Sequence, residues 1–206
     1  DQTALQLERV AAADEGRTES EAELRAVGGS IGERFLIGFF AGERNSPNSL
    51  SRDPGLVDRL RADDKRLQET RLIDRCPYCR AQEVRVEPPD PSILRLVHRC
   101  ESCDRELPLV IVDAELYRYL PAVLVGTLDK LAMIGLSDKF GALLGDVDCR
   151  CDIHGFGRGM KCHERRAKGH PAIIVLPLDR PLYVASPSLE IVDELVLRPR
   201  PFALAV

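Results

Sequence analysis

The sequence has no apolar run that approaches the ~20 residues of a membrane-spanning helix. Its first residues are polar and acidic, unlike a secretory signal. It also has no excess of positive charge: charged residues make up 30% of the chain and the net charge is -4. These absences exclude a globally basic nucleic-acid-binding protein and predict a cytoplasmic location with no membrane partner. A local basic surface is still compatible with the composition, because phosphate contacts depend on where Lys and Arg lie.

Cysteine, by contrast, is present and clustered. The chain of 206 residues has seven cysteines, and four of them form two CxxC motifs, which favours metal binding in a reducing compartment over disulfides. Hydrophobic residues make up 44% of the sequence, so a chain of this length can bury a sizeable core. The chain begins at Asp1 inside a helical pattern and closes on a tail biased toward Arg, Pro and Ala. We therefore expect a fragment of a longer protein.

Short apolar runs alternate with helical patterns along the chain. Residues 1–26 have amphipathic helical spacing with an interruption near Gly16, and residues 55–70 predict a polar helix. The run FLIGFF at 35–40 is typical of a strand buried on both faces. Further strands are predicted at 107–112, 122–125, 172–176 and 189–192, and further helices at 115–119 and 128–134. This alternation predicts an α/β fold with a parallel sheet.

The most specific local motif is Cys76-Pro-Tyr-Cys79 followed by Cys100-Glu-Ser-Cys103. A CxxC turn places two thiolates on one side of an ion, and two such turns complete the tetrahedral shell that Zn²⁺ requires. Four thiolates leave no position for water, so the predicted zinc is structural.

Basic residues adjoin this predicted zinc ribbon, and they leave two interpretations open. These residues are Arg80, Arg95, His98, Arg99 and Arg105. Either they contact nucleic acid or a partner, or they only solvate the surface of an insertion that the metal stabilises. We interpret His98 as a surface side chain and not as a fifth ligand.

A second cluster comprises Cys149, Cys151, His154 and Cys162. Three thiolates and one imidazole form a shell that zinc accepts, so we predict these four residues as ligands of a second zinc. His163 is an alternative to His154. The competing interpretation is a Gly- and Arg-rich loop whose thiols are incidental.

An acidic pair, Asp193 and Glu194, follows the predicted strand at 189–192. In nucleotide-hydrolysing folds, an Asp at such a strand end holds the Mg²⁺ that bridges the phosphates, and a Glu orients the attacking water. We predict both residues as catalytic, and Asp193 also as a ligand of the Mg-ATP cofactor. Because solvated loop carboxylates often follow strands, this prediction depends on its context.

The segment LPAVLVGTLDKLAMIG at 120–135 predicts a strand, a turn and the start of a helix. A hydroxyl beside a helix N-terminus makes a phosphate-binding site. We predict that Thr127 contacts the backbone of a nucleic acid strand and that Lys130 adds a phosphate contact, with Asp129 capping the helix.

Several segments together resemble the helicase subunit of the bacterial DISARM anti-phage system and its close relatives, within the superfamily 2 helicases. They are GERFLIGFFAGERNSPNSL (32–50), the CPYC…CESC ribbon leading into ELPLVIVDAELYRYLPAVLVGTLDKLA (106–132), PSLEIVDEL (187–195), and QTALQLERV (2–10). The resemblance implies a partial RecA-like ATPase domain that binds ATP and Mg²⁺ and translocates on DNA with a partner subunit. It implies that Asp193, Glu194 and Thr127 have the roles given above.

The sequence departs from this family pattern in two respects. Val196 stands where the family has a His after Asp-Glu-Leu, a residue that couples the nucleotide to strand binding. No G-x-x-x-x-G-K-[ST] phosphate loop occurs in the sequence. We therefore expect the phosphate loop and the second motor domain to lie outside this chain, and the chain alone not to hydrolyse ATP.

These inferences divide the chain into motor segments and insertions. The predicted units are part of the first RecA-like domain (1–70), the zinc-ribbon insertion (71–106), a strand-helix segment of the motor domain (107–148), a Cys/His-rich insertion (149–170), a motor segment with the acidic element (171–195) and an atypical tail (196–206). The alternative function is a non-catalytic zinc-ribbon module that binds nucleic acid or a protein partner. A third is a zinc hydrolase that uses the second cluster, but the sequence offers no positioned carboxylate base for it.

Overall fold

The structure, a computed structural model, describes residues 7–12, 35–40, 47–53, 55–127, 139–151, 153–159, 161–162, 164, 175–177 and 189–192. The helices are α1 (residues 7–12), α2 (Leu56–Ala62), α3 (Asp64–Gln68), α4 (Asp113–Tyr119) and α5 (Phe140–Leu143). The strands are β1 (Ile37–Phe40), β2 (Val84–Val86), β3 (His98–Cys100), β4 (Leu109–Val110), β5 (Val123–Gly126), β6 (Cys149–Cys151), β7 (Gly155–Gly157), β8 (Val175–Pro177) and β9 (Leu189–Val192).

A parallel sheet of four strands, in the order β4-β1-β5-β9, forms the centre of the fold. Phe40 of β1 pairs with Gly126 of β5, and Gly126 pairs in turn with Val192 of β9. The carboxyl ends of these three strands therefore lie at one edge of the sheet, the edge at which parallel α/β sheets bind ligands.

Apolar side chains cover both faces of this sheet, as the continuous apolar runs predict. Ile37, Leu109 and Val125 belong to one buried cluster, which also contains residues of α1, α2, α3 and the ribbon. Val110 and Leu124 belong to a second cluster, which contains residues of α4 and α5. The sheet is therefore the middle layer of three.

Helix α4 lies directly against β1, and a glycine makes this close packing feasible. A Cβ atom at Gly38 would lie 2.5 Å from Cδ2 of Leu116 and 2.6 Å from Cγ of Pro121. At the N-terminus of α4, the backbone N–H groups of Asp113 and Ala114 donate to the carbonyls of Pro47 and Asn48, at 3.3 and 3.1 Å. The 47–50 loop thus satisfies donors that the first turn of α4 leaves free.

The polar helix predicted at 55–70 is two helices that meet at Asp63. The backbone of Asp63 is extended, and its side chain accepts a hydrogen bond from the N–H of Arg66 at 3.1 Å. An Asp in this position is a common helix N-cap, and here it starts a new helix where the pattern predicts continuation.

The zinc-ribbon insertion is built on the antiparallel pair β2 and β3, with Val84 opposite Cys100. Its apolar side chains do not form a separate core. Val84, Val86, Leu94 and Leu96 belong to the same buried cluster as Ile37 of the parallel sheet. The ribbon is therefore packed into the domain on one face of the sheet.

The second Cys-rich stretch forms an antiparallel sheet in the order β7-β6-β8. The strand predicted at 172–176 is present as β8, Val175–Pro177, but it pairs with β6 and does not join the parallel sheet. A short apolar run indicates a strand without specifying its partner, and here β6 offers the open edge. Strand β9 spans the predicted residues and does join the parallel sheet.

The architecture confirms the predicted class: an α/β fold with a partial RecA-like parallel sheet and Cys-rich insertions. The predicted helix at 128–134 and most of the helical pattern at 1–26 lie outside the described residues. Among the helices that the structure describes, none combines the length and apolar character that crossing a membrane requires.

Candidate metal centres

The four ribbon cysteines come together at one point between two turns. The sulfur atoms of Cys76 and Cys103 are 3.7 Å apart and those of Cys79 and Cys100 are 3.5 Å apart, and all four sulfurs lie within 4.8 Å of one another. With Zn–S bonds of ~2.3 Å, a tetrahedral site has S···S edges of ~3.8 Å. The arrangement therefore fits a tetrahedral four-thiolate zinc site.

The backbone of both turns is shaped for this convergence. The N–H of Arg80 donates to the carbonyl of Cys76, and the N–H of Cys100 donates to the carbonyl of Arg105. The residue after the second cysteine of each turn, Arg80 or Asp104, has a left-handed backbone with φ of 65° or 55°. Glycine adopts this conformation most readily and Asp tolerates it, so Arg80 is the less favourable of the two residues that close the turns.

Hydrogen bonds in the second turn favour a thiolate at Cys100. Burial opposes ionisation there, but the N–H groups of Cys103 and Ser102 and the neighbouring thiols outweigh it and lower the pKa of Cys100 to about 7. Burial raises the pKa of Cys76 to about 12. Because metal binding displaces thiol protons, loading of this site depends on pH.

The basic residues beside the ribbon all have contacts within the protein. Arg80 pairs with Glu8, Arg95 with Glu106 at 3.1 Å, and Arg99 with Glu87 at 2.6 Å. The guanidinium of Arg105 lies over the ring of Tyr78, 4.9 Å from its centroid. These contacts favour the second interpretation, in which the arginines belong to the surface of the insertion and do not contact nucleic acid or a partner.

His98 corrects a prediction, because its side chain is fully buried and not at the surface. Its Nε2 accepts a hydrogen bond from the N–H of Leu72 at 3.2 Å, and burial lowers its pKa to about 4, which leaves the ring neutral. His98 therefore anchors the chain that leads into the first cysteine turn, and it is not a fifth ligand. His98 lies two residues before Cys100 on β3 and therefore on the same, inward-facing side of the strand, and this spacing is the sequence signal that identifies it as buried.

The second cluster brings together three of its four predicted ligands. Nδ1 of His154 lies 3.8 Å from Sγ of Cys151 and 3.4 Å from Sγ of Cys162, and the three ligand atoms lie within 4.8 Å of one another. All three side chains are buried. Cys149, two residues before Cys151 on β6, is also buried, with its sulfur 3.9 Å from the carbonyl of Lys161 and outside this group of three. His163 lies outside the described residues.

Two contacts prepare this second cluster for a cation. Nε2 of His154 lies 2.7 Å from the carbonyl oxygen of Ser92, so it carries the proton and donates. Nδ1 is thereby left as the lone-pair atom that faces the two sulfurs. The N–H of Glu164 donates to Sγ of Cys162 at 3.3 Å. Burial raises the pKa of Cys162 to about 11, so a bound cation would have to replace the thiol proton.

Both groups could therefore hold a zinc ion: one offers four sulfurs, the other two sulfurs and an imidazole. In the second group the buried ligands leave little access for a substrate, which fits a structural metal better than a catalytic one. Sequence reasoning missed Ser92, because a backbone carbonyl leaves no mark in the residue type.

The predicted nucleotide and nucleic acid residues are only partly described. Thr127 directly follows β5, and its N–H donates to the carbonyl of Phe40 at 3.1 Å, which places it at the carboxyl edge of the sheet. Lys130, Asp193 and Glu194 lie outside the described residues. In sequence, Asp193 directly follows Val192, the residue of β9 that pairs with Gly126.

Comparison with known proteins gives one informative similarity. No protein-family model matches the chain. The chain is 28% identical over 180 residues to a protein of Bacillus paralicheniformis named DISARM protein DrmA. The matched region makes up 79% of this chain and 15% of that protein, so the chain spans about 15% of the length of its relative. This similarity is to a protein of the defence system whose helicase subunit the sequence resembles, and it confirms that resemblance.

Proposed function

We propose that this chain is part of an ATP-driven DNA translocase of a bacterial anti-phage defence system. The observation that carries the proposal is the similarity to a DISARM protein across 79% of the chain. The chain corresponds to a small part of that relative, so the activity belongs to a longer protein that supplies a phosphate loop. A partner subunit and a cytoplasmic location are parts of the same proposal.

The strand register supports a nucleotide site next to a nucleic acid contact. Strands β5 and β9 are neighbours, and Gly126 pairs with Val192. Thr127 follows the first of these residues in sequence and Asp193 follows the second. In this proposal Asp193 holds Mg²⁺, Glu194 orients the attacking water, and Thr127 and Lys130 bind the DNA backbone.

The two Cys-rich groups have a structural role in this proposal. Each would hold one zinc, and neither takes part in the hydrolysis of ATP. The contacts of Arg80, Arg95 and Arg99 with carboxylates support a ribbon that stabilises the motor domain, because paired arginines offer less charge to a phosphate backbone.

The test uses the full-length protein that contains this chain. We expect DNA-stimulated ATP hydrolysis, and we expect Glu194→Gln to lower its rate by at least ~100-fold, because water activation is lost while Mg²⁺ binding is kept. Thr127→Ala should weaken DNA binding, measured by fluorescence anisotropy, and leave hydrolysis without DNA near its original rate.

Two surface variants serve as controls. Glu69→Gln changes an exposed glutamate after α3, and Ser51→Ala removes an exposed hydroxyl; both should behave like the original protein. A full-length protein that binds DNA with no ATP hydrolysis would contradict the translocase and favour a non-catalytic zinc-ribbon module.

A further inference from the structure

A turn of the ribbon insertion presents three consecutive carbonyl groups to other parts of the fold. The carbonyl of Ser92 accepts from His154, and the carbonyls of Ile93 and Leu94 accept from the guanidinium of Arg118 at 3.2 and 2.9 Å. Leu94 has a left-handed backbone with φ of 58°, and the carbonyls of Ile93 and Leu94 both accept from the guanidinium of Arg118. This turn, residues 90–94, therefore connects the first insertion to both α4 and the second Cys-rich group.

The turn has its own internal support. One oxygen of Asp90 accepts from the N–H of Ser92 at 2.7 Å and from its hydroxyl at 2.6 Å. The carbonyl of Asp90 accepts from the N–H of Leu94 at 2.8 Å. The N–H of Ile93, which shares a peptide plane with the Ser92 carbonyl, also donates to the Asp90 carbonyl at 3.2 Å. The side chain and the carbonyl of Asp90 together hold the turn in the form that directs the Ser92 carbonyl at His154.

Arg118 holds the same turn from the side of α4. Its side chain is fully buried, and Glu164 of the second insertion lies 3.9 Å from its guanidinium. The backbone of α4 also touches the second insertion, because a Cβ atom at Gly155 would lie 2.4 Å from the carbonyl oxygen of Arg118. Gly155 has φ of 78°, so glycine suits this contact in both space and backbone conformation. Arg118 of α4 therefore contacts both insertions: the 90–94 turn of the first and Glu164 of the second.

These contacts matter for the second group because they select one nitrogen of its histidine. A hydrogen bond from Nε2 to the Ser92 carbonyl leaves Nδ1 as the ligand atom and fixes the plane of the ring. Such outer contacts typically change metal affinity by ~10-fold to ~100-fold when they are removed. Here the contact comes from a separate insertion, residues 71–106, and not from the stretch that provides the ligands.

We propose that the first insertion completes the second metal site, with the Ser92 carbonyl orienting His154 for ligation through Nδ1 and Arg118 acting as the positioning residue for the 90–94 turn. The inference rests on the proposed zinc at Cys151, His154 and Cys162. It predicts that the second site depends on residues distant in sequence that touch no metal.

The first experiment measures metal affinity of the second site in the 206-residue chain. Cobalt(II) is titrated into metal-free protein, and the absorption bands of the four-sulfur site and of the site with an imidazole are followed separately. We expect Asp90→Ala and Arg118→Met to weaken binding at the second site by ~10-fold to ~100-fold and to leave the ribbon site within about 2-fold. Arg118→Lys, which keeps a donor for the carbonyls, should recover part of the loss.

The ribbon site of the same molecule is the internal control for folding. The matched control for Arg118→Met is Arg85→Met, which removes a half-exposed arginine paired with Asp64 and Glu101 on the ribbon surface. It should leave both sites unchanged. Unchanged second-site affinity in both Asp90→Ala and Arg118→Met would overturn the positioning role and leave the zinc proposal intact. An original chain that binds one cobalt ion instead of two would overturn the second zinc itself.

A second measurement tests the nitrogen directly and does not require any variant to fold. The ¹⁵N-labelled chain is loaded with ¹¹³Cd, and the cadmium–nitrogen coupling of the His154 ring is recorded. We expect coupling to Nδ1 and a slowly exchanging proton on Nε2, as the Ser92 contact requires. Coupling to Nε2 would overturn the inference.

Discussion

At the residue scale, the ribbon closes each of its two cysteine turns with a non-glycine residue in the left-handed backbone region. Arg80 and Asp104 have positive φ values of 65° and 55°. Side chains with a Cβ atom cost ~1–2 kcal/mol in this region, and Asn, Asp and Gly tolerate it best. If zinc binds the four cysteines as proposed, it keeps both turns in this conformation, and the stability of the zinc-loaded chain should report this cost.

We expect Asp104→Val to lower the free energy of unfolding of the zinc-loaded chain by ~1–2 kcal/mol, because a β-branched residue is strained at this φ. Asp104→Gly should stay within ~0.5 kcal/mol of the original chain. The side chain of Asp104 is 91% exposed and lies 3.7 Å from Arg99, so the lost ion pair contributes little. Urea unfolding measures both effects.

Asp74→Val is the matched control for this pair, because Asp74 is an exposed aspartate paired with Arg71 and lies outside the positive-φ positions. If Asp74→Val and Asp104→Val destabilise the chain equally, backbone strain is not the cause.

Glu115 provides a second prediction at this scale, and it concerns pH. Burial raises the pKa of Glu115 from 4.5 to about 7, against the opposing influence of Arg118, Arg95 and the N–H of Leu96. The folded chain therefore keeps this proton at pH values where the unfolded chain has lost it. The contribution of Glu115 to stability is present below pH 4.5 and is lost as pH rises toward about 7.

The measurement compares the original chain with Glu115→Gln, which keeps an oxygen for the N–H of Leu96. We expect the original chain to lose stability relative to the variant as pH rises through this window, by at most ~1.4 kcal/mol per pH unit. Taking the difference cancels the pH dependence of zinc binding, which both chains share. A constant difference for Glu115→Gln would mean that this carboxyl binds its proton equally in the folded and unfolded chains.

At the scale of elements, the contact between β1 and α4 depends on a single missing side chain. We expect Gly38→Ala to lower the free energy of unfolding by ~1–3 kcal/mol, because the added methyl group would overlap Leu116 and Pro121. Gly55→Ala is the matched control, since a Cβ atom there would be too close only to the flexible end of Arg59 and would lie at ordinary contact distance from Asp53 Oδ1. Chemical denaturation of the two variants measures the difference. Equal effects would show that α4 moves away from β1 at little cost.

The sequence predicts the strands of the parallel sheet well, and the reason is physical. Strands β1, β5 and β9 lie within or next to the predicted ranges because each is a short, mainly apolar segment that ends next to turn-forming or charged residues. Strand β4 covers only Leu109–Val110 of the predicted 107–112. Partners are less predictable than strands, and β8 illustrates this, because its pairing with β6 depends on which edge is open.

The candidate sites divide in the same way. The CxxC spacing predicts the grouping of Cys76, Cys79, Cys100 and Cys103, because the ligands themselves carry the signal. The looser second motif predicts four ligands, and the structure groups three of them, Cys151, His154 and Cys162. Contacts made by backbone groups, such as the Ser92 carbonyl, depend on tertiary structure and have no signature in the residue type.

At the scale of the whole molecule, the ribbon and the parallel sheet share one hydrophobic cluster. Cys76 and Cys100 are buried in the cluster that contains Ile37 of β1 and Val125 of β5. The insertion is thus not an independently packed unit. Loss of the first metal site should destabilise the parallel sheet, because one cluster of buried side chains packs against both.

The last prediction concerns the metal content and its effect on the fold. Elemental analysis of the purified 206-residue chain should find two zinc ions per chain. Cys100→Ser and Cys162→Ser should each remove one. Because Cys100 belongs to the cluster shared with the sheet and Cys162 does not, we expect Cys100→Ser to expose the amides of β1 and β5 to hydrogen exchange. Cys162→Ser should deprotect mainly β6 and β7, which flank its site.

Thiol titration before and after chelation separates this prediction from simple loss of fold. Chelation of the original chain should make the ribbon thiols reactive and accelerate exchange in β1 and β5 together, since one core connects them. Re-addition of zinc should restore the protection. If the ribbon thiols become reactive while β1 and β5 keep their protection, the sheet is stable without the first metal. The stability of the sheet would then not depend on the ribbon, and the role of its zinc would be at the protein surface.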